Sequence, residues 1–305
     1  MAPKLGLALG TGGARGWCHI GVLRALDEMG VTPDIIAGSS MGAVVGAAYA
    51  GGALDALEDW ARALTPRRVW QLIDMRLTGG GLVGGTSIRH MLTEIGLDKQ
   101  IEDLGLPFTA VAADLATGRE IWLQKGPLVA ATRASVAIPG VLSPVCIDGH
   151  WLIDGGVVNP VPVSPLLAAR ARVVIAVNPN AATAGQFWRP GEDWPGLPDM
   201  SDIFGQVADK LPDPLSRIWQ AGPGDDAAKS PSPPSYTALI NATIDMMSDQ
   251  IRRARLAADA PHVLISARLG DMNIMQFHRA SEAIAEGYRV TMAQADWIET
   301  LLSGQ

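Results

Sequence analysis

Along the first 52 positions, short unbroken apolar runs alternate with segments whose apolar residues recur at helical spacing, and glycine-rich stretches separate them. Residues 4–9 (Lys-Leu-Gly-Leu-Ala-Leu) read as a buried strand that runs into Gly10-Thr11-Gly12-Gly13-Ala14-Arg15-Gly16. The next segment puts Trp17, Ile20, Leu23, Leu26 and Met29 on one face and Arg24, Asp27 and Glu28 on the other, with Gly30 as a stop, which predicts a helix. Ile35-Ile36-Ala37 predicts a second strand leading into Gly38-Ser39-Ser40-Met41-Gly42, and the Ala/Val-rich stretch beyond predicts a helix ending near Gly51-Gly52. A strand, loop, helix, strand, turn, helix order is that of a mainly parallel sheet sandwiched by helices, the α/β class.

Further along, Thr86 reads as the N-cap of a helix carrying Ile88, Met91, Leu92 and Ile95 and closed by Gly96. Strands are predicted at 108–113 and 119–123, and Asp148-Gly149-His150 between 145–147 and 151–153 signals a hairpin. Residues 172–177 and 262–266 predict two more strands, and 279–301 is mainly helical in pattern. We expect one domain over 1–305, interrupted by an insertion at about 179–234, where 10 of the 21 prolines fall together with Trp188, Trp194 and Trp219. Long irregular segments of this kind in compact enzymes serve as lids or entry loops, or are simple surface excursions.

Composition narrows the function classes. The chain is 48% hydrophobic and 18% charged over 305 residues, an ordinary globular balance able to bury a large core. With 24 basic against 31 acidic residues (net −7) and no basic cluster beyond Arg67-Arg68 or Arg252-Arg253, a nucleic-acid footprint is not expected. Apolar, peripheral contact with lipid is compatible with this charge. Cys18 and Cys146 form neither a disulfide framework nor a metal-ligand spacing, and the N-terminus carries no secretory pattern, so the expected location is the cytoplasm, with room for contact at the inner membrane face. The 20-residue uncharged stretch from Ile35 to Leu54 is long enough to span a bilayer, but its Gly, Ala and Ser content and few Leu suit a strand, a sharp turn and a tightly packed helix better.

Within that stretch, Gly38-Ser39-Ser40-Met41-Gly42 fits G-x-S-x-G, in which small flanking residues let a nucleophilic serine sit on a tight strand-to-helix turn. The predicted strand before it and helix after it give the pattern its mechanism: the Ser40 hydroxyl is exposed while the helix N-terminus favours developing negative charge. The glycine loop 10–16 follows the first strand and should emerge at the same sheet edge, where backbone N–H groups of Gly12 and Gly13 are natural donors to an oxyanion. Arg15 orients this loop, holds an anionic headgroup, or makes a surface ion pair. Nucleotide binding by the loop is disfavoured, since the dinucleotide pattern counted from Gly10 needs a glycine where Arg15 stands and no Gly-Lys-Ser/Thr occurs. For a base, His19 and His90 lie in predicted helices and His150 in a turn; His262 and His278 fit the serine, acid, histidine chain order of an α/β-hydrolase triad but have no evident catalytic loop. Asp154 is the stronger candidate, delivered by a strand into the turn opened by Gly155 and Gly156, provided a dry pocket raises its proton affinity.

These residues resemble the patatin-like phospholipases, particularly compact bacterial members related to the neuropathy target esterase catalytic domain. The likeness rests on the Gly-Ala-Arg-Gly ending of the glycine loop, Gly38-Ser-Ser-Met-Gly42, Ala-Ile-Pro-Gly at 137–140, Asp154-Gly155-Gly156 followed by Asn159-Pro160-Val161-Pro162, and the helix at 279–291. It leaves only the proline-rich insertion unmatched. Thr11 stands where plant-type loops often have another glycine. The resemblance implies a fold similar to the acyltransferase-lysophospholipase sandwich, a Ser40–Asp154 dyad without a histidine base, and an oxyanion hole in the glycine loop. The expected substrates are phospholipids, lysophospholipids or related fatty-acyl esters, and no metal or cofactor is expected, since the motifs contain no His/Cys/carboxylate ligand set. Acyl transfer from the same acyl-serine, and a non-catalytic adaptor on the same fold, are the alternatives.

Overall fold

The strands of the first 52 residues form the middle of the main sheet, because each is apolar on both faces and is satisfied between two covering layers. In the computed structural model, which describes residues 5–72, 81–181, 187 and 236–304, β1 (Leu5–Leu9) and β2 (Ile35–Ser39) are buried at every position. Helix α1 (Cys18–Glu28) joins them. The uncharged run resolves into β2, a turn at Ser40, α2 (Met41–Ala50) and the start of α3 (Leu54–Arg62). No described helix is long and apolar enough to cross a membrane.

The chain continues through α4 (Pro66–Gln71), β3 (Gly81–Val83), α5 (Thr86–Glu94), β4 (Phe108–Asp114), β5 (Glu120–Leu123) and α6 (Leu128–Ser135). Then follow β6 (Gly140–Leu142), β7 (Val145–Ile147), β8 (His150–Asp154), α7 (Ser164–Ala168), β9 (Val173–Asn178), α8 (Tyr236–Ala258), β10 (Val263–Ser266), α9 (Ala280–Met292) and α10 (Ala295–Ser303). The eight-stranded sheet has the order β10-β9-β1-β2-β4-β8-β7, with β5 also on β4; β3 and β6 form a separate parallel pair. Strands β10, β9, β1, β2 and β4 are mutually parallel, while β5 and β8 run antiparallel to β4 and β7 antiparallel to β8. The α/β, mainly parallel architecture expected from the sequence is therefore the one observed.

Period-two alternation divides the core between the two faces. Leu5, Leu7 and Leu9 of β1 and Val173, Ile175 and Val177 of β9 join the large cluster with α1 and α2. The alternate positions Ala8, Val174 and Ala176 meet Val161, Val163 and Leu166 on the other face.

Two sequence expectations need correction. Thr86 is the first helical residue of α5, not its cap; Gly85 holds the cap position at φ 75°, a conformation that favours glycine over threonine. His150 belongs to β8 and pairs with Ile147, so the hairpin turn is Asp148-Gly149 alone, both at positive φ as a type I′ turn requires. The C-terminal region is mainly helical as expected, in two helices, α9 and α10. The chain divides into two compact units, residues 1–183 with 248–305, and 184–247. Of the second, residue 187 and the first half of α8 are described; the expected insertion at about 179–234, with its tryptophans, otherwise lies outside the described residues from 182 onward.

Burial predicts a contrast between central and edge strands. Leu7→Ala, at a β1 site only 1% exposed, should cost about 2–5 kcal/mol. Leu264→Ala on edge strand β10, at a site 37% exposed, should cost under about 1 kcal/mol. Chemical denaturation of the two variants checks this.

Candidate active site

One strand brings the two halves of the site together. β4 carries β5 along one edge over residues 110–113, so β2 on residues 108–111 and β8 on residues 112–114, each of which overlaps that stretch but not the other, must share the opposite edge. β2 runs parallel to β4 and ends with Ser39 opposite Val111. β8 arrives antiparallel and ends with Asp154 opposite Ala112. The two strands thus terminate head to head at consecutive positions of β4, although Ser40 and Asp154 are 114 residues apart in sequence. The Ser40 hydroxyl donates to Asp154 Oδ2 at 2.7 Å.

The local backbone is built for this meeting. Ser40 lies between β2 and α2 at φ 55°, ψ −124°, a sparsely populated conformation for a side-chain-bearing residue that costs on the order of 1–3 kcal/mol. Gly38 and Gly42 allow it: a Cβ at Gly42 would collide with the Leu9 carbonyl, and one at Gly38 with the Gly42 carbonyl. The Ser40 N–H donates to Ser135 Oγ at 3.0 Å, and Ser135 Oγ donates to the Val111 carbonyl at 2.6 Å. Two residues on, the Ala137 carbonyl accepts the Asp154 N–H at 2.9 Å. The end of α6 and the turn after it therefore hold both members of the pair. The sequence marked 137–140 only by resemblance and gave Ser135 no role.

On the far side of Asp154, Oδ1 accepts the Gly156 N–H at 2.7 Å. A Cβ at Gly155 would strike the Val111 carbonyl, and one at Gly156 would lie 2.7 Å from Thr11 Cγ2, so this glycine pair lets the aspartate turn pack against both β4 and the glycine loop. In that loop the Thr11 N–H donates to the Pro160 carbonyl (2.8 Å) and Ala14 to Ile274 (2.7 Å). The intervening N–H groups of Gly12 and Gly13 donate to no acceptor among the described residues. Neither glycine tolerates a side chain: a Cβ at Gly12 would meet Pro179 at 2.7 Å, and Gly13, at φ 52°, would press into Ile274.

Arg15 is 6% exposed, a buried side chain and not a surface one. Its guanidinium donates from Nε to the Met272 carbonyl at 2.7 Å and from Nη1 to Asn180 Oδ1 at 3.1 Å. No histidine is hydrogen-bonded to Ser40 or Asp154 among the described residues. His19 is buried against the Gly10 carbonyl (2.7 Å), and burial lowers its pKa to about 4, keeping it neutral. His150 pairs with Asp114 at 2.7 Å. His262 accepts the Val174 N–H at the opposite edge of the sheet, His90 is exposed, and His278 sits in the short turn Phe277–Arg279.

Asp154 is 5% exposed. Burial pushes its pKa up to about 6, against the lowering effect of the Ser40 and Gly156 hydrogen bonds. A carboxylate so buried has a raised proton affinity. Beside Ser40 opens a cavity of about 150 Å³ lined almost entirely by apolar side chains, with Gly13, Met41, Trp17, Trp60, Val136 and Phe277 among its walls. Trp17 packs against both Trp60 and Phe277 at ring-centroid distances of 6.2 Å. Among the described residues no group of three or more His, Cys, Asp or Glu side chains is arranged to hold a metal ion.

Residues 7–167 match the model of the patatin-like phospholipase family. The chain belongs to that family, a class of carboxylic ester hydrolases that act on lipids. It is 38% identical over 323 aligned residues to an uncharacterized NTE family protein of Mycobacterium tuberculosis, covering 94% of this chain and 89% of the relative. It is also 33% identical to human patatin-like phospholipase domain-containing protein 6, over 67% of this chain but only 16% of that much longer protein. The solved structure of VipD from Legionella pneumophila aligns over 97% of this chain and 67% of its own at a TM-score of 0.47 and 13% identity.

The buried carboxylate carries a stability prediction. A carboxyl whose pKa is higher folded than unfolded favours the fold only while protonated, so its contribution is complete below pH 4 and lost as pH rises through about 6. Asp154→Asn should therefore be more stable than the parent at pH 8, by about 1–3 kcal/mol, with the two converging near pH 4. Denaturation at both pH values checks the convergence.

Proposed function

We propose that the protein hydrolyses fatty-acyl esters of phospholipids or lysophospholipids through a Ser40–Asp154 dyad and an acyl-enzyme. The observation that carries this reading is the 2.7 Å bond from the Ser40 hydroxyl to a buried carboxylate, made beside an apolar cavity. In the first half-reaction Ser40 Oγ bonds to the ester carbonyl carbon while its proton passes to Asp154 Oδ2. The carbonyl electron pair moves onto oxygen, where the N–H groups of Gly12 and Gly13 receive it, assisted by the N-terminal dipole of α2. Collapse expels the alcohol, which takes the proton from Asp154 and leaves the acyl group on Ser40. Water then attacks the acyl-serine, its proton passing to Asp154, and the fatty acid departs as that proton returns to Ser40. The acyl chain would lie in the cavity walled by Trp17, Trp60 and Phe277.

An aspartate can serve as base here because its pKa of about 6 leaves it ionised at neutral pH yet well above a solvated carboxylate in proton affinity. The absence of histidine contacts to the pair among the described residues favours hydrolysis over a histidine-assisted acyl transfer. The chemistry calls for no metal or cofactor. We place the reaction in the cytoplasm, where the protein meets lipid peripherally at the inner membrane face.

Ester hydrolysis by Ser40→Ala and Asp154→Asn should fall by about 10³-fold or more in folded protein, while single His→Ala variants at His262 and His278 stay within a few-fold of the parent. The kcat/KM profile should rise with a single acid limb near pH 6, and chelator should not change it. Inactivation by either histidine substitution alone would replace the dyad with a triad. The cavity makes a separate prediction: Trp60→Ala should shift preference along a series of p-nitrophenyl esters toward longer acyl chains, read as the ratio of kcat/KM values.

A further inference from the structure

The glycine loop offers two amides to an oxyanion, but a glycine-rich backbone is conformationally permissive, and something must stop these peptides from turning over. For Gly13 the loop itself does so: the carbonyl of the same peptide, Gly12 O, accepts the Arg15 N–H at 3.1 Å. For Gly12 no such local bond exists. The carbonyl of its peptide, Thr11 O, accepts instead from the side chain of Asn180, Nδ2 to O at 2.9 Å, across 169 residues of sequence. In a trans peptide the C=O and the following N–H point in opposite directions, so the bond that fixes Thr11 O also fixes the direction of the Gly12 N–H.

The amide of Asn180 is itself oriented. Its Oδ1 accepts from Arg15 Nη1 at 3.1 Å, and Arg15 is anchored through Nε on the Met272 carbonyl. Turning the Asn180 amide over would set Nδ2 against a guanidinium and Oδ1 against a carbonyl, so only one orientation satisfies both neighbours. The backbone of Asn180 is fixed as well, by its N–H on Asn178 Oδ1 at 3.1 Å and by a bridge to Arg268. Because Asn178 ends β9, the relay is mounted on the sheet edge that also carries the glycine loop and Ser40.

We propose that Asn180 is a positioning residue for catalysis, which holds the Thr11–Gly12 peptide so that the Gly12 N–H faces the developing oxyanion, with Arg15 setting the orientation of its amide. This rests on the dyad and oxyanion reading given above. It touches neither substrate nor reacting atoms; its effect passes through one peptide plane. Asp at this position keeps the shape but replaces the Nδ2 donor with a carboxylate oxygen, which repels the Thr11 carbonyl and favours the flipped peptide.

The test compares Asn180→Asp and Asn180→Ala with the parent and with Ser40→Ala, using a p-nitrophenyl ester and a trifluoromethyl ketone, whose adduct with serine carries a tetrahedral oxyanion. Both Asn180 variants should lose about 10–100-fold in kcat, with KM changed less than about twofold and ketone affinity reduced by a factor similar to that in kcat. The acid limb near pH 6 should not move, because Asp154 is untouched. Asn180→Ala covers the case in which the aspartate variant fails to fold. A folded Asn180 variant with parental kcat and ketone affinity, or with a loss confined to KM, overturns the proposal. Ester hydrolysis or ketone binding that survives Ser40→Ala overturns instead the dyad reading on which it rests.

Discussion

A carboxylate held away from water, with a serine hydroxyl as one of its few partners, is the constraint around which the site is organised. Burial raises the free energy of the Asp154 anion, and only the Ser40 hydroxyl and the Gly156 amide offset that cost in the described structure. Such an anion has a strong demand for a proton, and the nearest one is on the serine. Leaving Asp154 in water would ease the fold and remove the basicity. A strained backbone at Ser40 adds to the same account, since a positive φ is kept where an unstrained serine would point elsewhere. Stability is surrendered at both residues of the proposed dyad, a pattern expected where function and folding compete.

The sheet provides the rigidity that makes this tolerable. Two strands of opposite direction ending at neighbouring residues of β4 fix the separation of Ser40 and Asp154 through backbone hydrogen bonds, so the pair does not depend on a flexible loop. The turn from Ser135 to Ala137 then fastens the amide of each residue from one side. The glycine loop is braced from the other side by Pro160, Ile274 and Asn180. Substitutions in these bracing groups should consequently alter geometry at the proposed reacting atoms before they alter the fold.

What could be read from the chain alone follows the range of the interactions involved. Parallel strands buried on both faces are continuous apolar runs, so β1, β2 and β9 and the fold class were legible. Ser40 was legible because its strained turn needs small neighbours at Gly38 and Gly42, and Asp154 because a strand runs straight into a glycine pair. Ser135 and Asn180 were not, because each acts through a single bond between a side chain and a backbone group 95 or 169 residues away, which leaves no periodicity or spacing behind. The cap of α5 was misplaced by one residue because threonine is the commoner N-cap, whereas the turn here requires the positive φ of Gly85. Helix α6 left little trace because it is only eight residues long and no side-chain cap opens it. The role considered for Arg15 at the surface gave way to a buried one, since its neighbours come from residues 180 and 272.

The proton transfer from Ser40 to Asp154 is best tested by the rate of covalent labelling with a fluorophosphonate across pH 4–9, the modified residue being located by mass spectrometry. The account predicts a single adduct on Ser40, formed at a rate that rises with an apparent pKa near 6 and collapses in Asp154→Asn at every pH. Labelling at another residue, or an Asp154→Asn variant that reacts as fast as the parent with the same pH dependence, would contradict it.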